Sequence, residues 1–544
     1  MDLLLAFVIA MSVTMALIPV LMRLADRFQV VDVPEPRKVH ARPIPRIGGV
    51  AMAAGAVAPL LYWLQGSPTL YAYLAAAALV VGFGVWDDRA SLGYLPKFLG
   101  QFIAAIVVVS WGGLMIHSVT LAERVELPAA IAVPLTVLFI VGITNAINLA
   151  DGLDGLAGGT TLLSCCAIAL LGLSIGDRFV TTVAIILSGS LLGFLRYNTY
   201  PARVFMGDGG SQFLGFTVAV ITVLLTQVET APLSAALPLL LLGMPIIDTL
   251  MVMAQRVMEG RSPFSADKNH IHHRLLSLGF DHHEAVIVIY LLQGALLGTA
   301  WFMRYESDLS IALIFAIYLM LSVGFLTGAS RAGWRWRAAD SMRLNGFEDT
   351  RRRSFRELRR RMPGWTIWII GAGTALYGLY ISLSAEPIPV DVGWLCLGLA
   401  AVLAGAGLLG VARSMPEWIL HGSLYVCAVV LVYLDLTTRV GKWPVAVEVA
   451  TTFALATSVM IYVRMTTVRR FTLTPLDLLV ILVALILPNL PGSVAAPREL
   501  GLAALKLLVV FYAVEMLLGH SRQSRVACHW LAVLTVALIA WRAL

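Results

Sequence analysis

Carboxylates and amides recur where apolar runs end. Residues 145–159 read NAINLADGLDGLAGG and place Asn145, Asn148, Asp151 and Asp154 three residues apart. Side chains at that spacing share a helical face, so the four are expected to line one stripe of a helix end before the glycines release the backbone. Four oxygen-bearing groups on one stripe suit a hard cation such as Mg²⁺. Asx-rich segments also cap helices and form turns. The apolar setting weighs toward chemistry, because ionisable groups near a bilayer are costly and are usually functional.

Four further polar segments carry similar signals. In GVWDDRASLGYLPKFLGQF, Asp87 and Asp88 are expected to end one span and Lys97 to open the next. Adjacent carboxylates repel unless a cation or proton sits between them, although a solvated helix end tolerates such a pair as a topological anchor. Asp208 lies among glycines in VFMGDGGSQF, where backbone approaches a ligand closely and a helix N-terminus attracts phosphate; an Asp-Gly turn is the plain alternative. PEPRKVHARPIPRIGG offers Lys38, His40 and Arg46 to an anion, as any positive-inside loop would. The segment 257–283 collects Arg261, Lys268, His270, His272, His273, Arg274, His282 and His283. Its HxHH could hold zinc, but the carboxylates elsewhere suit Mg²⁺ better, and imidazoles donate well to phosphate oxygens. Pro245 and Asp248 predict a kinked helix with a buried polar group.

These residues must be positioned by membrane helices. The chain of 544 residues is 59% hydrophobic and 13% charged, with a mean hydropathy of +0.85. It reads as an all-α polytopic membrane protein in which about 20 apolar residues make one crossing. Apolar runs near 1–24, 47–64, 70–86, 98–116, 129–147, 156–175, 179–196, 211–228, 234–256, 284–303 and 309–328 predict eleven helices. A basic segment follows over 329–364, of the kind that touches anionic headgroups at about 1 kcal/mol per basic residue. About seven more spans are expected between 365 and 544. Lys and Arg on alternate loops put both termini outside and every candidate motif on the cytoplasmic face. The first residues lack a cleavage site and are read as a retained span. The five cysteines have neither metal-ligand spacing nor a disulfide pattern, and the net charge of +7 belongs to these loops rather than to a nucleic-acid surface.

Taken in order, RKVHARPIPRIGG, DDRASLGYLPKFLGQ, NAINLADGLDGLAGG, VFMGDGGS and SPFSADKNHIHHRLLSLGF resemble the polyprenyl-phosphate N-acetylhexosamine-1-phosphate transferases. The HIHH form is similar to the branch that uses small UDP-N-acetylhexosamines rather than the peptidoglycan pentapeptide branch. The resemblance covers about 1–330 and implies a transferase domain over 1–328; the chain departs from the family's pattern in continuing as a basic linker over 329–364 and a C-terminal membrane domain of unassigned function over 365–544. It implies that Asp208, joined by Asn148, binds Mg²⁺ or Mn²⁺. Asp87 and Asp88 match the pair proposed to activate or orient the lipid phosphate, Lys97 matches a phosphate contact, and Asp151 and Asp154 match further catalytic carboxylates. Arg261, His270, His272 and His273 match the loop that grips the donor, with Lys38, His40, Arg46 and Asn145 as added substrate contacts. The implied reaction transfers HexNAc 1-phosphate from a UDP-sugar to polyprenyl phosphate in the inner membrane, as a first step toward an envelope polysaccharide. A homo-oligomer is compatible with this reading. A transporter or flippase and a non-catalytic nucleotide-sugar scaffold are the rivals, and a transporter should hold its polar groups near the midplane.

Overall fold

A computed structural model describes residues 2–28, 30–32, 43–90, 92–120, 123–227, 233–262, 269–336, 363–408, 417–437 and 522–544, with parts of 454–459 and 506–518. Lys38, His40, most of the basic linker, most of the span expected near 443–463 and all of that near 474–490 lie outside the described residues. One compact unit is Met1–Ala338, and the helices described after it belong to a second.

The first unit is helical because its apolar runs can satisfy their backbone groups in lipid only within a helix. The helices are α1 (Asp2–Phe28), α2 (Gly48–Trp63), α3 (Pro68–Ala90), α4 (Tyr94–Ser110), α5 (Ala129–Ala150), α6 (Leu156–Ile175) and α7 (Arg178–Asn198). They continue as α8 (Gly207–Thr226), α9 (Pro238–Leu241), α10 (Gly243–Met258), α11 (Ile271–Ser277), α12 (His282–Met303) and α13 (Asp308–Arg331). Ten helices among the described residues are long and apolar enough to cross a membrane, two of them in the second unit (Ile367–Ser384 and Ser524–Ala543), and shorter apolar helices such as α2 and α4 accompany them. The protein is an all-α, multi-pass membrane protein.

Two short hairpins interrupt the helices: β1 (Val31–Asp32) pairs antiparallel with β2 (Ile44–Pro45), and β3 (Ser118–Thr120) with β4 (Arg124–Glu126). The second was not expected, because the fourth span stops at Ser110 rather than near 116. It is held by Gln227, whose Oε1 accepts the amides of His117 and Ser118 at 3.1 and 3.2 Å.

Helix α8 is the axis of the bundle, with most of its residues buried. It packs against α3 and α2 through glycine. A Cβ on Gly84 would lie 2.4 Å from Gly209 Cα, and one on Gly49 would lie 2.2 Å from the backbone of Gly210. Without a hydrophobic drive between helices in lipid, such close backbone approach is how they associate. Tyr73 adds a stacked contact with Phe216 and a 3.0 Å hydrogen bond to Thr217.

The ninth expected span is two helices, α9 and α10, divided at Leu242. Pro245 has no N–H to give the carbonyl four residues back, which is that of Leu241. That carbonyl is taken by Gln293 Nε2 at 2.9 Å and Ser164 Oγ at 2.7 Å, while Gln293 Oε1 accepts Met244 N at 3.1 Å. The kink expected at Pro245 is therefore a break, satisfied by a fully buried glutamine from α12.

Candidate active site

The end of α3, the start of α4, the end of α5 and the start of α8 meet at one end of the bundle. Lys97, in the first turn of α4, bridges two carboxylates: its Nζ donates to Asp208 Oδ2 at 2.7 Å and pairs with Asp87 Oδ2. Asn148, near the end of α5, donates through Nδ2 to Asp208 Oδ1 at 3.0 Å and to Ser211 Oγ at 2.7 Å. The adjacent carboxylates expected to need a cation between them do not share one: the ammonium of Lys97 joins Asp87 to Asp208, 111 residues from the lysine in sequence, and Asp88 has Arg46 instead.

Asp87 and Asp88 lie within α3, one turn before its end, and do different things. The oxygens of Asp88 accept the amides of Asp208 at 2.9 Å and Gly209 at 3.1 Å. A carboxylate from another helix therefore caps the N-terminus of α8, where free N–H groups and the helix dipole favour negative charge. Gly207 opens α8 at φ +69, and a Cβ there would meet Asp88 Oδ2 at 2.4 Å; only glycine fits both the backbone and the carboxylate. Arg46, just before α2, reaches Asp88 Oδ1 at 3.8 Å and pairs with Asp32 of β1. The other carboxylate, Asp87, keeps one oxygen, Oδ1, buried with no hydrogen-bond partner among the described residues.

The expected four-residue stripe is corrected. Helix α5 ends at Ala150, and Asp151 leaves it with ψ 62, so only Asn145, half-buried, and Asn148 share a helical face. Asp151 stays close enough to feel its neighbours: burial, then the charges of Asp208, Asp154 and Asp88, push its carboxyl up to about 7. Asp154 turns elsewhere. Its Oδ2 accepts Ala202 N at 2.9 Å, and its own amide donates to His282 Nε2 at 3.1 Å. The turn is braced by Asn198, whose Oδ1 accepts Gly155 N at 2.9 Å, and by Tyr290, whose hydroxyl donates to Gly155 O at 2.6 Å.

The histidine segment is tied to the bundle by Asp248 of α10. One oxygen is 2.8 Å from His270 Nδ1 and the other accepts Ile271 N at 2.6 Å, so the buried acid fixes the start of α11. His272 is buried, with ring centroids 4.2 Å from His273 and 5.8 Å from His270. A Cβ on Gly152 would lie 2.2 Å from His272 Nε2; the ring therefore packs directly on the acidic turn. Burial, then neighbouring His273, lower the His272 pKa to about 3, so the imidazole is neutral and an N–H donor. Arg261 is exposed and pairs with Glu259 at 3.0 Å. Among the described residues, the one set of three His, Cys, Asp or Glu ligand atoms close together is Asp281, His283 and Glu284, and Asp281 with Glu284 forms the capping box of α12.

Sequence reasoning did not find Ser211, Asn198 or Asp32. Ser211 is one turn beyond Asp208 on α8 and so was recoverable from spacing; the other two act through partners brought up by folding. Asp248 was legible as a buried polar group, but not as the anchor of the histidines.

This helical bundle gathers carboxylates, a lysine, an arginine and imidazoles at one end, a set of groups whose chemistry suits ligands with several negative charges. Comparison with known proteins agrees. Residues 70–226 match the family described as glycosyl transferase family 4. The chain is 41% identical over 291 residues to a probable undecaprenyl-phosphate N-acetylglucosaminyl 1-phosphate transferase of Bacillus subtilis, covering 53% of this chain and 81% of the relative. A decaprenyl-phosphate N-acetylglucosaminephosphotransferase of Mycobacterium leprae is 36% identical over 302 residues, 50% of this chain and 76% of the relative. An undecaprenyl-phosphate alpha-N-acetylglucosaminyl 1-phosphate transferase of Escherichia coli is 32% identical over 278 residues, 49% and 74% respectively. The chain belongs to the family of polyprenyl-phosphate N-acetylhexosamine-1-phosphate transferases.

Proposed function

We propose that this protein transfers N-acetylglucosamine 1-phosphate from UDP-N-acetylglucosamine to a polyprenyl phosphate at the cytoplasmic membrane face. An acceptor phosphate oxygen attacks the sugar-proximal phosphorus, the bond to the UMP oxygen breaks, and polyprenyl diphosphate-sugar and UMP result. The observation that carries this reading is the Asp87–Lys97–Asp208–Asn148 cluster, joined to an acidic turn against which a neutral histidine packs. Every reactant is an anion, and most phosphoryl-transfer catalysis is positioning plus neutralisation of developing charge.

The donor set suits a hard divalent cation. Asp208, the unpartnered Oδ1 of Asp87 and the amide of Asn148, turned to present oxygen, would hold Mg²⁺ or Mn²⁺, which would supply positive charge to the diphosphate. Lys97 would then be released from the two carboxylates to contact phosphate. Asp88 positions Asp208 by capping α8. A general base is less needed than alignment, because a phosphate monoester is already ionised near neutrality. The donor diphosphate would meet His272 and His273, with Arg46 contributing charge beside Asp88.

The test is Asp208→Asn. UMP release should fall at least about 10²-fold, the scale of losing one electrostatic stabiliser, while the thermal unfolding of the purified protein is retained. Near-normal turnover would overturn the assignment. Chelation should abolish activity in the native protein, with recovery on Mg²⁺ or Mn²⁺; polyprenyl phosphate-dependent UMP formation separates this reading from transport.

A further inference from the structure

The C-terminal end of α13 carries a feature that the transfer reaction does not use. After Arg331 the chain turns at Gly333 (φ +64), with Trp334 N donating to Ala329 O at 3.0 Å, and doubles back until Trp336 N donates to Leu278 O at 2.8 Å. Leu278 and Phe280 connect α11, which bears the histidines, to α12. The Trp336 ring stacks on Phe280 at 5.2 Å and 10°, and Trp334 touches Phe280 at 6.2 Å and Phe325 at 6.1 Å. The outer faces are open: Trp334 is 40% exposed, Trp336 55% and Phe325 56%. Arg331 and Arg335 are exposed beside them and make no ion pair with a described residue.

Half-exposed indoles at the end of a membrane helix belong at the headgroup level, and exposed arginines among them call for negative charge at the same depth. We propose that Arg331, Trp334, Arg335 and Trp336 form an interfacial clasp that binds anionic phospholipid headgroups and thereby sets the position of the histidine segment. The partner is the bilayer surface. The arginines select its charge, the indoles its depth, and the hydrogen bond to Leu278 with the Phe280 stack carries its effect to His270, His272 and His273. Each basic residue near such a surface favours association by about fivefold. The consequence for donor binding rests on the transferase reading above; the lipid contact does not.

The test uses the full chain in nanodiscs of phosphatidylcholine with or without phosphatidylglycerol, carrying brominated acyl chains on one lipid or the other. Tryptophan fluorescence should be quenched more strongly when bromine is on phosphatidylglycerol. This preference should fall in Trp334→Phe/Trp336→Phe and also in Arg331→Gln/Arg335→Gln, which keeps every tryptophan. Equal quenching by both lipids, or a preference undiminished in either double variant, overturns the clasp. A preference abolished by traces of unlabelled polyprenyl phosphate shows that the acceptor, not bulk lipid, is the partner, and overturns it too. In the native protein the KM for UDP-N-acetylglucosamine should be severalfold lower in the anionic membrane and should lose that dependence in both variants. A headgroup preference with an unchanged KM refutes the coupling to the histidines. No turnover in any membrane, with the quenching preference intact, counts against the transferase reading and leaves the lipid contact standing.

Discussion

Asp87 and Asp88 are adjacent, chemically identical and differently employed. One shares Lys97 with Asp208 and keeps a bare oxygen, while the other is committed to the amides that begin α8. Their division follows from the 100° step of a helix, which aims neighbours at different partners. His272 shows how environment sets a residue's state. Its folded pKa is lowered to about 3 from 6.5, so the unfolded chain takes up a proton in a range where the folded one does not. The stability this gives is complete above pH 6.5 and is lost as pH falls toward 3. The unfolding temperature in detergent should therefore drop on acidification below pH 6.5, and His272→Gln should make that drop shallower. An unchanged slope would show that the imidazole is not held neutral by its burial.

At the level of elements, the site depends on where helices begin, end and touch. Gly84 permits α3 to lie against α8 at backbone distance, which lets Asp88 reach the first amides of α8. Gly84→Val should force the helices apart, at about 1–3 kcal/mol for overpacking a tight contact. The expected result is a lower unfolding temperature together with loss of turnover; full activity would mean that the capping contact does not position Asp208. The break between α9 and α10 similarly gives Asp248 its place beneath the histidine segment. Asp248→Asn weakens a charge-assisted hydrogen bond and should raise the KM for UDP-N-acetylglucosamine about tenfold, with a smaller change in kcat. A kcat-only defect would place the histidines at the reacting phosphorus rather than on the donor's binding contacts.

On the scale of the whole molecule, every assigned side chain belongs to the first compact unit, Met1–Ala338. The second unit holds a buried pair, Lys506 Nζ to Asp435 Oδ2 at 2.7 Å, which also receives the Tyr377 hydroxyl at 2.9 Å; burying such a pair costs solvation and joins its helices. A chain ending after Ala338 is expected to retain sugar-phosphate transfer per folded molecule. One ending at Gly328 should lose stability, because it removes the last residues of α13 and Trp334 and Trp336 from Phe280. Comparing turnover per donor-binding site in the two truncations decides this, and absence of transfer in the longer one would give the second unit a part in presenting the lipid.

Class, family and, to within a few residues, the ends of most of the first eleven expected segments could be read before any fold was known, although the ninth segment is broken into α9 and α10 and α2 and α4 are short. Apolar runs of bilayer length, Lys/Arg bias and ordered motifs are local signals that need no partner to be read. Asn148, Lys97 and Asp208 were legible as candidate site residues for the same reason, and the fold brings them together. What each one touches was settled by folding. The stripe at Asn145 broke because α5 ends at Ala150, Arg261 stayed with Glu259, and Asp248 became the histidine anchor. The physical reason is that hydrogen bonds and ion pairs act over about 3 Å; they depend on which helices lie side by side, and residues more than a hundred positions apart carry no trace of that in their spacing.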